Sequence, residues 1–282
     1  MTAALRVVEP LPDAIADGWR ASALRVRAVA RRHAYVLQRA PQRWFDVVFW
    51  PVVDTILFGA LGVQLARASH GGHTVVGALL TGILLFHVVF QAEIGLSTGF
   101  MEETWDRNLL NLLVTPLRES EYVAGVVLFG LGKLALAITT VSVVAYGLFA
   151  FHITWLGPGL IPLVALLLVI GWSVGLVVIG LILRVGQGAE ILAWGLLAIV
   201  MPLSGTFYPV SALPGPLQPV AHALPTTRVF AAGRTLLAGG AIPWGQLGYA
   251  AIGAAVIAGA SVWWLRRSIA TFRARGFISR HV

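Results

Sequence analysis

Long apolar segments alternate with short polar ones along most of the chain. Six of these segments approach or exceed the roughly 20 residues that a helix needs to cross the hydrocarbon core of a bilayer. They run near residues 45–66, 75–99, 122–150, 160–183, 188–206 and 245–265. The polar–apolar alternation of outer-membrane barrel strands is absent from them. The pattern therefore predicts an all-α polytopic membrane protein whose six transmembrane helices occupy residues 45–270.

A polar island at residues 101–122 separates the second and third predicted spans. It begins with Glu102, Glu103 and Asp106 followed by Arg107, an order that suits a helix N-terminus. Pro116 ends this helix, so a short cytoplasmic amphipathic helix is predicted over residues 101–116. Its apolar residues, which fall on one side at helical spacing, are Trp105, Leu109, Leu112 and Leu113. The pattern favours docking into a groove on a soluble partner, and the alternative is a solvated loop.

A basic amphipathic segment precedes the first predicted span. Residues 1–16 are expected to be disordered, and a helix is predicted from Asp17 to Ala40 within a cytoplasmic region that extends to residue 44. The arginines that share about half of its circumference are Arg20, Arg25, Arg27, Arg31, Arg32 and Arg39. Such a helix is typical of an interfacial element lying on anionic lipid. Nucleic-acid binding is disfavoured, because no basic domain stands apart from the membrane.

The region at residues 201–227 is rich in helix breakers. It contains six prolines and two glycines, which no continuous helix tolerates. The fifth span is therefore predicted to break into short re-entrant or surface pieces. Irregular backbone is allowed at membrane depth only where it is buried in protein or lines a wet cavity. This broken outer segment is a candidate outer gate, and the alternative is an ordinary long loop.

Composition and charge distribution support a membrane protein of defined orientation. Apolar residues make up 58% of the chain and charged residues 11%, well below the roughly 25% of soluble domains. With both termini in the cytoplasm, the inside segments hold 16 arginines and the outside loops hold three, which are Arg67, Arg228 and Arg234. This asymmetry follows the positive-inside rule and leaves residues 271–282 as a basic cytoplasmic tail. The absence of cysteine excludes disulfides and thiolate metal sites.

Three ionisable residues fall inside predicted spans, where a charge is costly. They are Asp54, Glu93 and Lys133, which is the only lysine. A buried Asp54–Lys133 or Glu93–Lys133 pair is favoured over a transport site. The alternative function is a self-contained secondary transporter or channel that uses these three groups.

No catalytic or nucleotide-binding pattern is found in the chain. A phosphate-binding loop would need G-x-x-x-x-G-K-[ST], whereas Leu134 follows the Gly-Lys step and Val127 stands at the first glycine position. His70 and His73 lie in a short outer loop without a third ligand nearby, so a metal site there is disfavoured. The chain is therefore not expected to be an enzyme.

Two runs of residues resemble the type-2 ABC exporter permeases. In RNLLNLLVTPLRESEYVAG, residues 107–125, a leucine-rich helix ends at Thr115-Pro116, with Glu121 a few residues on and Gly125 entering the third span. In MPLSGTFYPVSALPGPLQPVAHALPTT, residues 201–227, the matching steps are Ser204-Gly205, Tyr208-Pro209, Leu213-Pro214 and Pro225. The resemblance is nearest to the drug-resistance (daunorubicin-type) and lipo-oligosaccharide (nodulation-factor-type) permeases, although many members carry Gly-Thr where this chain has Asn108-Leu109.

The resemblance implies the transmembrane subunit of an ATP-driven exporter in a bacterial inner membrane, moving an amphipathic drug, lipid or glycolipid. ATP and Mg²⁺ would bind to two copies of a separate ABC ATP-binding subunit, and this chain would hold no cofactor. A second permease chain, identical or different, would complete the path. Residues 101–116 would form the coupling helix. The outer gate would comprise Ser204, Gly205, Phe207, Tyr208 and Pro209.

Overall fold

The computed structural model describes residues 18–40, 44–69, 72–105, 117–186 and 190–274, and regular structure in these ranges is entirely helical. The α-helices are α1 (Trp19–Arg39), α2 (Trp50–Ser69, preceded by a π-helical turn at Phe45–Phe49), α3 (Gly72–Trp105), α4 (Glu119–Phe149), α5 (Leu160–Val185), α6 (Glu190–Leu203), α7 (Gln218–Ala223), α8 (Pro225–Leu237) and α9 (Trp244–Ala274). Short 3-10 turns lie at Ile153–Gly159, Val210–Ala212 and Gly215–Leu217. The predictions for residues 1–16, 106–116 and 275–282 fall outside the described ranges.

Five helical segments of the described chain are long and apolar enough to cross a bilayer. They are Phe45–Ser69, Gly72–Met101, Ser120–Phe149, Ile153–Val185 and Trp244–Phe272. These segments correspond to five of the predicted spans, and the all-helical, multi-pass prediction is confirmed. The other predicted span, residues 188–206, contains the 14-residue α6. At 1.5 Å per residue α6 is about 21 Å long, which is shorter than the ~30 Å hydrocarbon core.

α6 ends at Leu203 for local reasons. Pro202 has no backbone N–H to donate to the preceding turn. Gly205 follows with φ +59°, a left-handed conformation that glycine adopts without steric cost. A Cβ at this position would also lie 2.8 Å from the Tyr208 carbonyl oxygen. The turn at residues 204–208 therefore redirects the chain after α6.

α3 is the central element of the bundle. It packs against α2, α4 and α5 and also contacts α8, and 83% of its most apolar 18-residue stretch is buried. Its close approach to α5 depends on small residues, because a Cβ at Gly171 would lie 2.6 Å from the Val89 carbonyl oxygen. α9 covers the other side of α5, where the Trp264 indole donates to the Val177 carbonyl oxygen at 3.2 Å. α3 is thus enclosed by protein along most of its length.

The start of the predicted coupling helix differs from the prediction. α3 continues without a break through Trp105, so Glu102 and Glu103 belong to its last turns and not to the first turn of a separate helix. The reason is local, since no proline or glycine interrupts residues 101–105 and glutamate is a good helix former. The other predicted coupling residues, outside the described ranges, are Asp106, Arg107, Leu109, Leu112 and Leu113.

Candidate functional site

A salt bridge joins the N-terminal helix to the start of the third long span. The Arg25 guanidinium donates from Nε and Nη2 to the two Glu121 carboxylate oxygens, at 2.7 and 2.8 Å. Glu121 also accepts from the Arg118 backbone N–H at 3.1 Å, which satisfies one of the orphan donors at the N-terminus of α4. The same carboxylate therefore caps α4 and holds α1 against it, shortly after the predicted coupling segment.

The contact between α1 and α4 continues in a constant register. Members of each facing pair are 96 positions apart along the chain. A constant offset means that the two helices run side by side in the same direction. The contact is close, because a Cβ on Gly125 would lie 2.5 Å from the Val29 Cβ. The facing pairs are Arg25–Glu121, Val29–Gly125 and His33–Phe129.

The six arginines of α1 are not equivalent. Arg25 and Arg32 are half-buried. The sequence pattern predicts all six on one lipid-facing side and does not indicate the ion pair to Glu121. A glutamate three residues after the Arg118 N-cap is a signal for the cap itself, but nothing local points to its second partner on α1. The exposed arginines are Arg20, Arg27, Arg31 and Arg39.

Removing either side of this ion pair is expected to loosen α1 on α4 by the same amount. Arg25→Gln removes the guanidinium, and Glu121→Gln removes the charge but keeps an oxygen for the α4 cap. Because both changes act through one contact, amide hydrogen exchange in α1 should rise no more in the double variant than in either single variant, roughly three- to tenfold. Hydrogen exchange of the purified protein measures this, with the exposed Arg39→Gln as control. Increases that add in the double variant would show that the two residues act separately.

A second set of polar side chains lies between α2 and α3. His87 Nε2 is 3.3 Å from the Asp54 carboxylate, and Gln91 donates from Nε2 to the Asp46 backbone oxygen at 2.7 Å. The sequence pattern offers Lys133 as a partner for Asp54 and does not single out His87, although a histidine inside a span is itself a signal. Lys133 acts electrostatically on Asp46.

Glu93 is fully buried on another side of α3. Its Oε1 accepts from the Ser97 hydroxyl at 3.0 Å, and its Oε2 has no hydrogen-bond partner among the described residues. At about 100° per residue, the Glu93–Ser97 side lies about 120° around the helix from the His87–Gln91 side. The structure therefore separates Glu93 from the Asp54–His87 contact and does not bring them into one site.

Ser204 and Gly205 of the predicted outer gate are hydrogen-bonded to α8. The Gly205 carbonyl oxygen accepts from Arg234 Nη1 at 2.7 Å, and the Ser204 hydroxyl lies 2.5 Å from the Thr226 hydroxyl. Both partners belong to α8, which packs against α3, α5 and α9. Arg234 is counted as an outer-loop charge in the sequence pattern, so its role in holding this turn is visible only in the structure.

The next residues of the outer segment contact α2 and α3. The Phe207 ring stacks on Phe58, with centroids 4.0 Å apart. A Cβ on Gly82 would lie 2.4 Å from the Thr206 carbonyl oxygen, so the backbone of the outer segment touches α3 directly. The remaining predicted gate residues are the half-buried Tyr208 and the exposed Pro209.

α3 connects this outer contact with the polar island. From Gly82 to Trp105 the helix is continuous, a length of about 35 Å at 1.5 Å per residue. Because it is packed on most sides, a displacement at one end moves the other end with it. The arrangement can therefore transmit movement between the Trp105 end of α3 and the outer segment.

The described residues contain no group of three metal-ligating side chains. His73 is exposed near the start of α3, and His70 lies outside the described ranges.

The family assignment follows from a match over most of the chain. Residues 25–237 match the family described as ABC-2 type transporter. No curated protein matches the chain. The matched stretch runs from Arg25 in α1 to Leu237 at the end of α8, and so includes both the α1–α4 contact and the outer segment. The chain belongs to the ABC-2 type transporter family and is a transmembrane permease subunit of an ABC transporter, a subunit that is not itself catalytic and that associates with an ABC ATP-binding subunit.

Proposed function

We propose that the chain is the transmembrane subunit of an ATP-driven exporter that moves an amphipathic drug, lipid or glycolipid out of the cytoplasm or the inner leaflet. Its place is the bacterial inner membrane, with both termini in the cytoplasm, as the arginine asymmetry favours. ATP and Mg²⁺ bind to two copies of a separate ATP-binding subunit. A second permease chain, identical or different, completes the path.

The continuity of α3 is the observation that carries this proposal. The helix runs without a break from its contact with Thr206 to Trp105, which already lies within the predicted coupling segment 101–116. When the ATP-binding subunits close, residues 101–116 move with them and displace the end of α3. Since α3 is packed against α2, α4 and α5, the displacement passes to these helices as a rigid-body shift.

The ion pair between α1 and α4 supplies a second connection to the same segment. Arg118 and Glu121 stand at the start of α4, on the far side of the polar island from α3. Arg25 ties α1 to that point. A movement of the coupling segment therefore acts on α3 at one end, on α4 at the other, and on α1 through Glu121.

The outer segment is the last element to open in this scheme. Its turn is held by Arg234 and Thr226 of α8, and its backbone lies on Gly82 of α3. A shift of α3 relative to α8 would pull on these contacts. The predicted gate residues Ser204, Gly205 and Phe207 lie at that junction.

A self-contained secondary transporter is the alternative function. The close Asp54–His87 approach and the fully buried Glu93 favour it, because intramembrane ionisable groups often serve ion pathways. A relay, however, needs groups arranged in sequence across the bilayer. Asp54 of α2 approaches the His87 side of α3, whereas Glu93 lies on a different side of α3. The described ionisable groups therefore do not form such a chain.

Charged substitutions in the coupling segment are expected to abolish binding of the ATP-binding subunit. Leu109→Glu and Leu112→Glu each place a carboxylate on the predicted apolar face, where docking would bury it without a partner. Co-purification of the tagged permease with its ATP-binding subunit should fall at least about tenfold. The permease itself should remain inserted, because its spans are untouched.

Val114→Glu is the matched control, since it lies opposite Trp105 on the same helical wheel and should leave binding intact. Normal binding by both leucine variants would remove the docking proposal. Reconstitution separates the two functions: transport that requires ATP and the second subunit supports the exporter, whereas gradient-driven flux by the lone permease supports the secondary transporter.

A further inference from the structure

A groove between α1 and α4 combines positive charge with an apolar lining. Its volume is about 440 Å³. Arg27 and Arg31 of α1 and Lys133 of α4 supply the charge. Phe129 and Leu136 of α4 supply much of the apolar surface. The groove lies along a face of α1 distinct from the one where Arg25 pairs with Glu121.

Small residues keep this groove open while the two helices touch elsewhere. Ala30 and Ala34 line it on the α1 side, and Gly132 lines it on the α4 side. A Cβ at Gly132 would meet no atom within 4 Å. At Gly125, by contrast, a Cβ would lie 2.5 Å from Val29. The helices therefore close against each other at Gly125 and part where Gly132 faces the groove.

The arginine at the centre of the α1 side is held in position. Arg31 donates from Nε and Nη2 to the Tyr35 hydroxyl at 2.9 and 2.6 Å, and its guanidinium lies over the tyrosine ring, 5.2 Å from the centroid. No acidic side chain is among the groove-lining residues. Asp46 acts on Lys133 from the side of α2, which leaves the arginines of α1 to give the groove its net positive charge.

We infer that this groove binds an anionic phospholipid of the leaflet beside α1. The phosphate lies among Arg27, Arg31 and Lys133, where guanidinium groups can bind two of its oxygens in a fork. The acyl chains run along Phe129 and Leu136, on a helix that is long and apolar enough to cross the bilayer. Inorganic phosphate would use the charges but not the apolar surface, and a zwitterionic lipid would use the surface but gain less from the charges.

A lipid held in this way touches both helices at once. Its headgroup contacts Arg27 and Arg31 of α1 and Lys133 of α4, and its chains run along α4, so it stabilises the same association that Arg25 and Glu121 hold at the other side. The α1–α4 unit is then sensitive to the content of anionic lipid in the surrounding leaflet, independently of the transported substrate.

The test measures lipid binding to the purified full-length permease in a neutral detergent. The probes are dioctanoyl phosphatidylglycerol and, as the uncharged-headgroup comparison, dioctanoyl phosphatidylcholine. The groove variant combines Arg27→Gln, Arg31→Gln and Lys133→Gln, and is expected to bind phosphatidylglycerol at least about tenfold more weakly. The control combines three exposed arginines outside the groove, Arg20→Gln, Arg39→Gln and Arg266→Gln, and should stay within about twofold of the unmodified chain.

Gly132→Leu tests the groove independently of its charges, because the leucine side chain fills the groove and every charged residue stays in place. It should also weaken phosphatidylglycerol binding several-fold. Unchanged binding by Gly132→Leu, equal binding of phosphatidylcholine, or displacement of the lipid by inorganic phosphate at the same concentration would each overturn the assignment. If the triple variant fails to fold, Gly132→Leu alone decides.

Discussion

Gly125→Val should uncouple α1 from α4 and lower ATP-driven transport at least about tenfold. The Cβ alone would lie 2.5 Å from the Val29 Cβ and 2.9 Å from the Val26 carbonyl oxygen. The backbone oxygen cannot move without shifting α1, and overpacking of this kind typically costs about 1–3 kcal/mol. The ion pair at Arg25 and Glu121 is one turn away, so it would be pulled apart as well. Transport in proteoliposomes and amide hydrogen exchange of α1 measure the two effects.

Gly130→Val is the matched control on the same helix. A Cβ there meets no atom within 4 Å, so the substitution adds the same side chain without displacing α1. Exchange in α1 should rise for the Gly125 variant and stay unchanged for the Gly130 variant. If both variants transport equally well, close packing of α1 on α4 is not needed for function.

The second large effect is expected from Gly82→Ala, in the contact between α3 and the outer segment. One added methyl group would lie 2.4 Å from the Thr206 carbonyl oxygen and 3.1 Å from the Phe207 ring. The outer segment must then move away from α3, and its hydrogen bonds to Arg234 and Thr226 are strained. A loss of about 1–3 kcal/mol in stability is expected, with lower transport and normal binding of the ATP-binding subunit.

Gly95→Ala provides the comparison within α3. Its Cβ would lie 4.0 Å from the nearest heavy atom, the Gly130 Cα, and alanine is intrinsically favoured over glycine in a helix by about 1 kcal/mol. The Gly95 variant should therefore be as stable as the unmodified chain or slightly more so in a thermal unfolding assay in detergent. A Gly82 variant that is equally stable and fully active would show that the outer segment adjusts freely on α3.

The long apolar helices follow from the sequence because bilayer thickness sets a minimum length that a simple hydropathy pattern reveals. The end of α6 is also predictable from the sequence, because Pro202 lacks a backbone N–H and Gly205 adopts a positive φ. The end of α3 was harder to predict. The pair Glu102-Glu103 suits either the first turn of a helix or the end of a long one, and because no proline or glycine interrupts residues 101–105, α3 continues through Trp105.

Partners that lie far apart along the chain were not predictable from these patterns. Arg25 belongs to a stripe of six arginines, and only the position of Val29 opposite Gly125 selects it for Glu121. The partner of His87 is likewise on a neighbouring helix, where the Asp54 carboxylate lies 3.3 Å from its Nε2. In each case the chemistry of the residue was visible in the sequence, but its geometry depended on helix–helix register, which no local pattern encodes.

The spacing between Arg25 and Glu121 also sets an order of events during synthesis. The two residues are 96 positions apart, and two long apolar helices lie between them. At about 5–20 residues per second, roughly 5 to 20 s pass between the emergence of α1 and that of its partner helix. Throughout this interval the arginines of α1 have no α4 to contact. The nascent chain must therefore carry α1 without its partner helix until both intervening apolar helices have been made, and the ion pair between Arg25 and Glu121 is among the last contacts of α1 that can form.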